Sequence, residues 1–207
     1  MTEERVRGSV ESYGRDKGDR EPFVVCDVAF RVAGIGSLGL HRYAVLVRGG
    51  GSDSYRLLDI KEVRPSALRP CAEGPQPGKG TPEARRSVLA QRQLQSRPTT
   101  GLDVVAIDDC EFRMRELIPE ENRTGLDELR KQPKKLRRAV ALAGRLTGWA
   151  HVRGARSVKH NRTEDLGRWA DGPGLDAVIV SAIRFAIQSK RDYRAFLDAY
   201  SEQLIKP

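Results

Sequence analysis

The chain has 207 residues, 39% hydrophobic and 31% charged, and its 37 Lys and Arg against 28 Asp and Glu give a net charge of +9. That length suits one compact or two-lobed unit and excludes two large independent domains, while the composition excludes a chain disordered throughout or fibrous. A membrane protein is excluded as well, because the longest apolar stretch, residues 177–187, falls far short of the roughly 20 residues that span a bilayer and is broken by Arg184.

The first 22 residues are polar and Gly-punctuated and read as a solvated arm, or as the remnant of an upstream element, with one short helix, Glu3 to Tyr13. They are charged from the third residue and carry no apolar leader, which implies a cytoplasmic chain. The fold is expected to begin at Phe23. FVVCDVAFRVAG and LHRYAVLVRG are rich in β-branched and aromatic residues and flank GIGSLG, which predicts two antiparallel strands around a Gly-rich loop. After GGGSDS, YRLLDIKEVR suits a third strand of the same sheet. Residues 69–82 are Pro- and Gly-rich without hydrophobic period and form an exposed loop. Helix-start signals follow: Thr81 can cap, Pro82 and Glu83 suit the first turn, and Val88, Leu89 and Leu94 supply the apolar stripe of a helix through Gln95.

Two short strands, LDVVAIDD and EFRMREL, come next around a turn at Asp108 to Cys110. Beyond Pro119 the chain reads as helical. Leu136, Val140, Ala143 and Leu146 keep helical spacing, and Leu175, Ile179, Ile183 and Leu197, through to Leu204, continue the period to the end. The order predicts an α+β fold: a small antiparallel sheet with one flanking helix, kinase N-lobe-like, followed by a helical C-terminal portion. Its expected divisions are a polar arm at 1–22, a sheet lobe at 23–118 and a helical lobe at 119–207.

Cys26, Cys71 and Cys110 form no CxxC pair or disulfide framework and read as two core residues and one loop thiol. His41, His151 and His160 offer no zinc-ligand spacing, so no metal site is expected. His151, after Trp149 at a helix end, reads as packed or capping. GPQPGK at 74–79 is one residue short of a P-loop, is followed by Gly80 instead of Ser or Thr, and has no preceding strand; it is rejected.

Gly34, Gly36 and Gly39 fit GxGxxG. A dinucleotide-binding turn needs a helix directly after the loop, whereas Tyr43, Val45 and Val47 alternate as a strand does. A loop between antiparallel strands instead suits folding over nucleotide phosphates, with glycines permitting backbone approach and Ser37 donating to a phosphate oxygen. A ligand-free glycine hairpin explains the motif alone equally well. Lys61 stands where a lysine would reach the phosphates from beneath that loop.

Alternation puts Leu57, Asp59, Lys61 and Val63 on one strand face, where a lysine is costly to bury without an anionic partner. The competing reading is an edge-strand lysine reaching to water. Glu83, and after it Glu73, is the expected acidic partner. EFRMREL runs out through Glu116, Leu117 and Ile118 before Pro119, as a lobe-connecting hinge would, where backbone groups could read an adenine edge. Arg113 and Arg115 share one strand face and read as solvated. The aspartate base of an HxD-type loop and the acidic DFG- or DFD-like motif of a phosphotransferase do not occur after this hinge.

The stretches DVAFRVAGIGSLGLHRYAVLV, LLDIKEVRPSAL, RRSVLAQRQLQ, FRMRELIPEENR and GRLTGWAHVRGA, in this order, resemble the bacterial family catalogued as domain of unknown function 2252. The resemblance runs from about residue 24 to the C-terminal helix. It implies a distantly kinase-like protein, similar to small-molecule phosphotransferases of the aminoglycoside type. It also implies that GDxHxxNFG-like and DxNDFDE-like segments, the acid cluster of full-length members, lie upstream of the Gly-rich block. The chain then corresponds to the C-terminal half.

Three functional readings follow. The first is a nucleotide-binding, phosphotransferase-like half in which Gly34, Gly36, Ser37, Gly39, Lys61 and Glu116 contact the ligand, ATP with magnesium, and a partner polypeptide supplies the upstream acids. The second is a non-catalytic remnant or interaction module. The third, disfavoured because bases cluster densely only at Arg130 to Arg138, is a basic nucleic-acid-binding protein. No membrane partner is expected.

Overall fold

A computed structural model describes residues 2–16, 24–49, 54–67, 69–71, 82–119, 125–157 and 162–202. Phe23, Glu73, Thr81, Leu204 and the GPQPGK segment lie outside the described residues. The chain divides into two compact units, Met1–Ala150 and His151–Pro207, with the division inside a helix.

In the first unit the elements are α1 (Glu3–Asp16), β1 (Val24–Phe30), β2 (Arg42–Arg48), β3 (Tyr55–Glu62), α2 (Glu83–Leu94), β4 (Asp103–Ile107), β5 (Cys110–Glu116), the short α3 (Leu126–Leu129) and most of α4 (Pro133–Ser157). All the strand pairs are antiparallel, and the sheet order is β1-β2-β3-β5-β4. Because α2 carries the chain away between β3 and β4, it is β5 that takes the place beside β3. The β4–β5 hairpin turns at Asp108, whose positive φ of 52° is one that aspartate tolerates better than most residues.

Period-two alternation sorts the strand side chains. Tyr43, Val45 and Val47 of β2, Leu58 and Ile60 of β3, Phe112 and Met114 of β5, and Val105 and Ile107 of β4 are buried in one cluster. Val6 and Val10 of α1 complete it, each 0% exposed. The expectation of a solvated N-terminal arm is therefore corrected: α1 is part of the core. It also ties down both edge strands. Arg5 pairs with Asp108 at 2.9 Å, the Tyr13 hydroxyl donates to Asp103 at 2.9 Å, Glu11 accepts from the Val25 amide at 3.4 Å, and Arg7 donates to the Val25 carbonyl. A helix bonded to strand edges shields them from pairing with another chain.

α2 begins after Pro82, as the turn signals predict, but buries Ala84 and Val88 while Leu89 and Leu94 stay exposed, so the expected stripe is rotated. It packs on β4 and β5, on the side of the sheet that Glu111 occupies, where Arg85 Nη2 donates to Glu111 Oε1 at 3.2 Å. All three cysteines are exposed, against the expectation of two in the core. Val140 and Leu146 of the predicted α4 stripe are exposed as well, and so is His151, which is not packed away.

The second unit contains α5 (Thr163–Asp171) and α6 (Gly174–Ser201). An apolar groove of about 670 Å³ runs between them, lined by Trp169, Ala177, Val178 and Phe185. A Cβ at Gly174 would overlap the Trp169 indole, and one at Gly172 would lie 3.0 Å from the Arg168 carbonyl. Gly174→Ala is accordingly expected to weaken α5–α6 packing by about 1–3 kcal/mol, the usual cost of overfilling a packed site. Amide exchange checks this, and unchanged protection in α5 and α6 would rule it out. Among the described residues, no helix is long and apolar enough to cross a membrane.

Candidate functional site

The sheet face opposite the α1 core gathers charge. Residues at every second position put Arg42 of β2, Asp59 and Lys61 of β3, and Arg113 and Arg115 of β5 on it. Register then sets them side by side: Arg42 pairs with Lys61 and Lys61 with Arg113, while Asp59 pairs with Arg115. Directly opposed like charges destabilise a strand pair. Here three cations stand in one row across three strands.

Asp59 holds the arrangement together. It is 1% exposed, the one buried charged residue among those described. Arg42 grips it with two bonds, Nε to Oδ1 at 2.6 Å and Nη2 to Oδ2 at 2.8 Å. Arg31 Nη1 donates to Oδ1 at 3.1 Å, and Arg115 Nε stands 3.5 Å from Oδ2. Burial pushes the Asp59 carboxyl up, but the hydrogen bonds from Arg42 and the charges of Arg42, Arg115 and Arg31 outweigh it and hold the group below its usual range. Five cations surround one acid, leaving an excess of four positive charges.

Lys61 has no ion pair among the described residues. It sits on central β3, paired on both sides, which corrects the edge-strand reading. Burial first, then Arg113 and Arg42, push its ammonium below the ordinary lysine range, with Asp59 opposing. Arg113 is lowered by burial and then by Arg115, and its Nε is buried without a hydrogen-bond partner, as is that of Arg115. These two arginines are therefore not the freely solvated face that alternation alone predicts. The expected Lys61 partner, Glu83, is engaged elsewhere: Arg86 binds it at 2.7 Å and Arg69 reaches it at 3.5 Å.

The glycine loop adjoins this cluster through Arg42, whose Nη1 donates to the Ala33 carbonyl at 2.9 Å. Gly34 and Gly39 both have φ of +78°, where an L side chain is strained, so their need for glycine is first a backbone one. A Cβ at Gly34 would stand 4.0 Å from Arg42 Nη1 and 3.9 Å from Ser37 Oγ, whereas Gly36 has open space around it. The Ser37 amide donates to the Gly34 carbonyl at 2.9 Å inside a short 3-10 turn, Ile35–Ser37.

Glu116 lies apart from these residues, at the other end of the sheet. From Lys61 to Leu58, the residue opposite Glu116, the strand advances about 10 Å. Glu116 lines a cleft of about 740 Å³ there with Tyr55, Leu57, Thr99 and Ile118. Its amide donates to the Thr100 carbonyl at 2.9 Å and the Leu117 amide to the Leu57 carbonyl at 2.7 Å, so these two hinge donors are occupied by the chain itself.

The sequence reading missed Arg42 and Asp59. Asp59 shared a predicted face with Lys61, and that was the available signal; which arginines meet it depends on cross-strand register. The donor set is cationic and suits a phosphate or other polyanion. It does not suit a resident divalent cation, since both Asp59 oxygens face guanidinium groups and no group of three His, Cys, Asp or Glu could hold a metal among the described residues.

A family model described as an uncharacterized protein conserved in bacteria (DUF2252) matches residues 1–199 and so takes in α1 as well as the blocks that carried the resemblance. Neither the curated proteins nor the solved structures offer a match.

Proposed function

The chain belongs to the DUF2252 family of bacterial proteins, and from its site we propose that the basic sheet face binds the phosphate groups of a nucleotide, with Lys61 and Arg113 as direct donors. The observation that carries this reading is the in-register row Arg42, Lys61, Arg113. Arg42 spends its guanidinium on Asp59 and Ala33, so it positions the loop and the acid. Lys61 and Arg113 keep donors to give. A phosphate between them would replace mutual repulsion with charge-assisted bonds. The loop at Gly34 to Gly39 supports the same reading by bringing backbone and the Ser37 hydroxyl to the Arg42 side of the row, and the cleft around Tyr55 and Glu116 offers room for the rest of the ligand.

The reading is one of binding, with turnover left to any acid cluster that a partner polypeptide provides. Titration of the purified chain with ATP is expected to give a saturable rise in melting temperature, equivalent to about 2.7 kcal/mol at a hundredfold excess over Kd. Lys61→Ala should abolish the rise without lowering the melting temperature of the free protein. A well-folded chain that shows no shift would remove the proposal.

A second reading, an interaction module, is favoured by α6, where Ile183 and Phe185 are 57% and 74% exposed on the same element as exposed Ile179, Phe196 and Tyr200. Concentration-dependent sedimentation of the chain, lost in Phe185→Glu, is the result that reading expects.

A further inference from the structure

We propose that the site takes the metal-free form of its polyphosphate ligand and is weakened, not completed, by magnesium. This rests on the phosphate-binding reading above and concerns which charge state of the ligand that site selects. Five cations lie around Asp59, an excess of four positive charges, and the one acid in the cluster is already engaged through both oxygens. Of the other carboxylates on this face among the described residues, Glu111 pairs with Arg85 at 3.2 Å through one oxygen, and Asp27, opposite Leu46 on β1, accepts from the Val28 amide at 2.9 Å. A nucleoside triphosphate or an inorganic tripolyphosphate carries close to that many negative charges when free, and a bound magnesium ion cancels two of them.

Geometry points the same way. The donors that face a ligand are the ammonium of Lys61 and the guanidinium of Arg113, adjacent across one strand pair, with the buried Nε of Arg113 lacking a partner. Both are suited to direct contact with bare phosphoryl oxygens. A hydrated magnesium ion on those oxygens would occupy lone pairs these side chains need and place a divalent cation beside a row that is already self-repelling. Its usual protein ligands are carboxylates, and the nearest one here is held by three arginines.

The test is a calorimetric titration of the purified chain with ATP at matched ionic strength, in EDTA and in excess magnesium chloride, repeated with inorganic tripolyphosphate. Binding is expected to be on the order of tenfold weaker with magnesium, the loss of about one charge-assisted contact. Tripolyphosphate should compete with ATP and show the same metal sensitivity, and Lys61→Ala and Arg113→Ala should each remove both. These variants relieve like-charge crowding, so a loss of binding in them is separable from unfolding by their unchanged or raised melting temperatures. Equal or tighter binding with magnesium would overturn the inference while leaving phosphate binding in place. Absence of binding in both conditions by a well-folded chain would overturn the phosphate reading and this inference with it.

Discussion

Asp59→Asn is expected to lower the stability of the sheet unit by about 3–5 kcal/mol, the loss typical of removing one partner from a buried ionic group. The substitution keeps the shape of the side chain and removes its charge. Arg31, Arg42 and Arg115 then face one another, with Lys61 and Arg113 beside them, and no anion is left on the buried side of the cluster. Removing a cation should act in the opposite sense: Lys61→Met is expected to leave stability unchanged or raise it. Equilibrium denaturation reads both, and a loss under about 1 kcal/mol for Asp59→Asn would place the cluster among ordinary surface ion pairs.

The same cluster predicts a pH profile. The Asp59 carboxyl is held below its usual range in the folded chain, so its contribution is fully present above the unfolded carboxylate value of about 3.9 and is lost as pH falls through the folded value beneath it. Asp59→Asn should flatten that acid limb in part, since Glu62, also lowered after burial is outweighed by its bonds from His41, contributes in the same direction. At the alkaline end Lys61 is lowered. The unfolded chain therefore binds more protons there than the folded one, and stability rises with pH between the folded value and about 10.4. Tyr43, raised by burial first, opposes that rise once pH exceeds about 10. Lys61→Met should lose the rise and keep the Tyr43 fall.

Val10→Asp is the second large effect. Val10 is 0% exposed inside the cluster of sheet residues, so an aspartate there is an unpaired buried carboxylate and is expected to cost about 3 kcal/mol or more. If residues 1–22 formed a solvated arm, the same change would stay within about 0.5 kcal/mol. Far-UV circular dichroism during urea unfolding of Val10→Asp beside Arg15→Asp, on the exposed end of α1, separates the two pictures; equal midpoints would remove α1 from the core.

Why α1 escapes a reading by composition is visible in its residues. EERVRGSVESYGRD is polar on average, and its buried residues are Val6, Val10 and Gly14, at i, i+4 and i+8, with Tyr13 partly buried. That stripe is narrow, yet the sheet face it meets is rich in buried valine, so two apolar side chains suffice to join its core. The opposite error occurs in α2 and α4, where the helices form but only part of the apolar stripe read from spacing is buried: Val88 is, while Leu89, Leu94, Val140 and Leu146 are exposed. A periodic pattern shows that a helix has an apolar side, but burial needs a neighbour at that side.

At the site, the glycines carry their own evidence, because φ of +78° at Gly34 and Gly39 is a local demand that glycine meets. Lys61 was legible as a lysine among apolar neighbours on a strand. Its partners were not: the expected Glu83 bonds with Arg86 on its own helix and with Arg69. Glu116 was placed correctly at the end of its strand, but the antiparallel run of β3 and β5 sets it opposite Leu58, about 10 Å along the strand from Lys61.

Local chemistry in the sequence by itself determined the strands, the glycine turn, the helical second half and the membership in a bacterial family, because β-branched alternation, glycine backbone freedom and helical periodicity act over a few neighbouring residues. Only the tertiary structure decided which charges meet. Strand register aligned Arg42, Lys61 and Arg113 and gathered Arg31, Arg42 and Arg115 on Asp59, and a one-residue slip in any of those pairings would have turned the cations to the other face of the sheet.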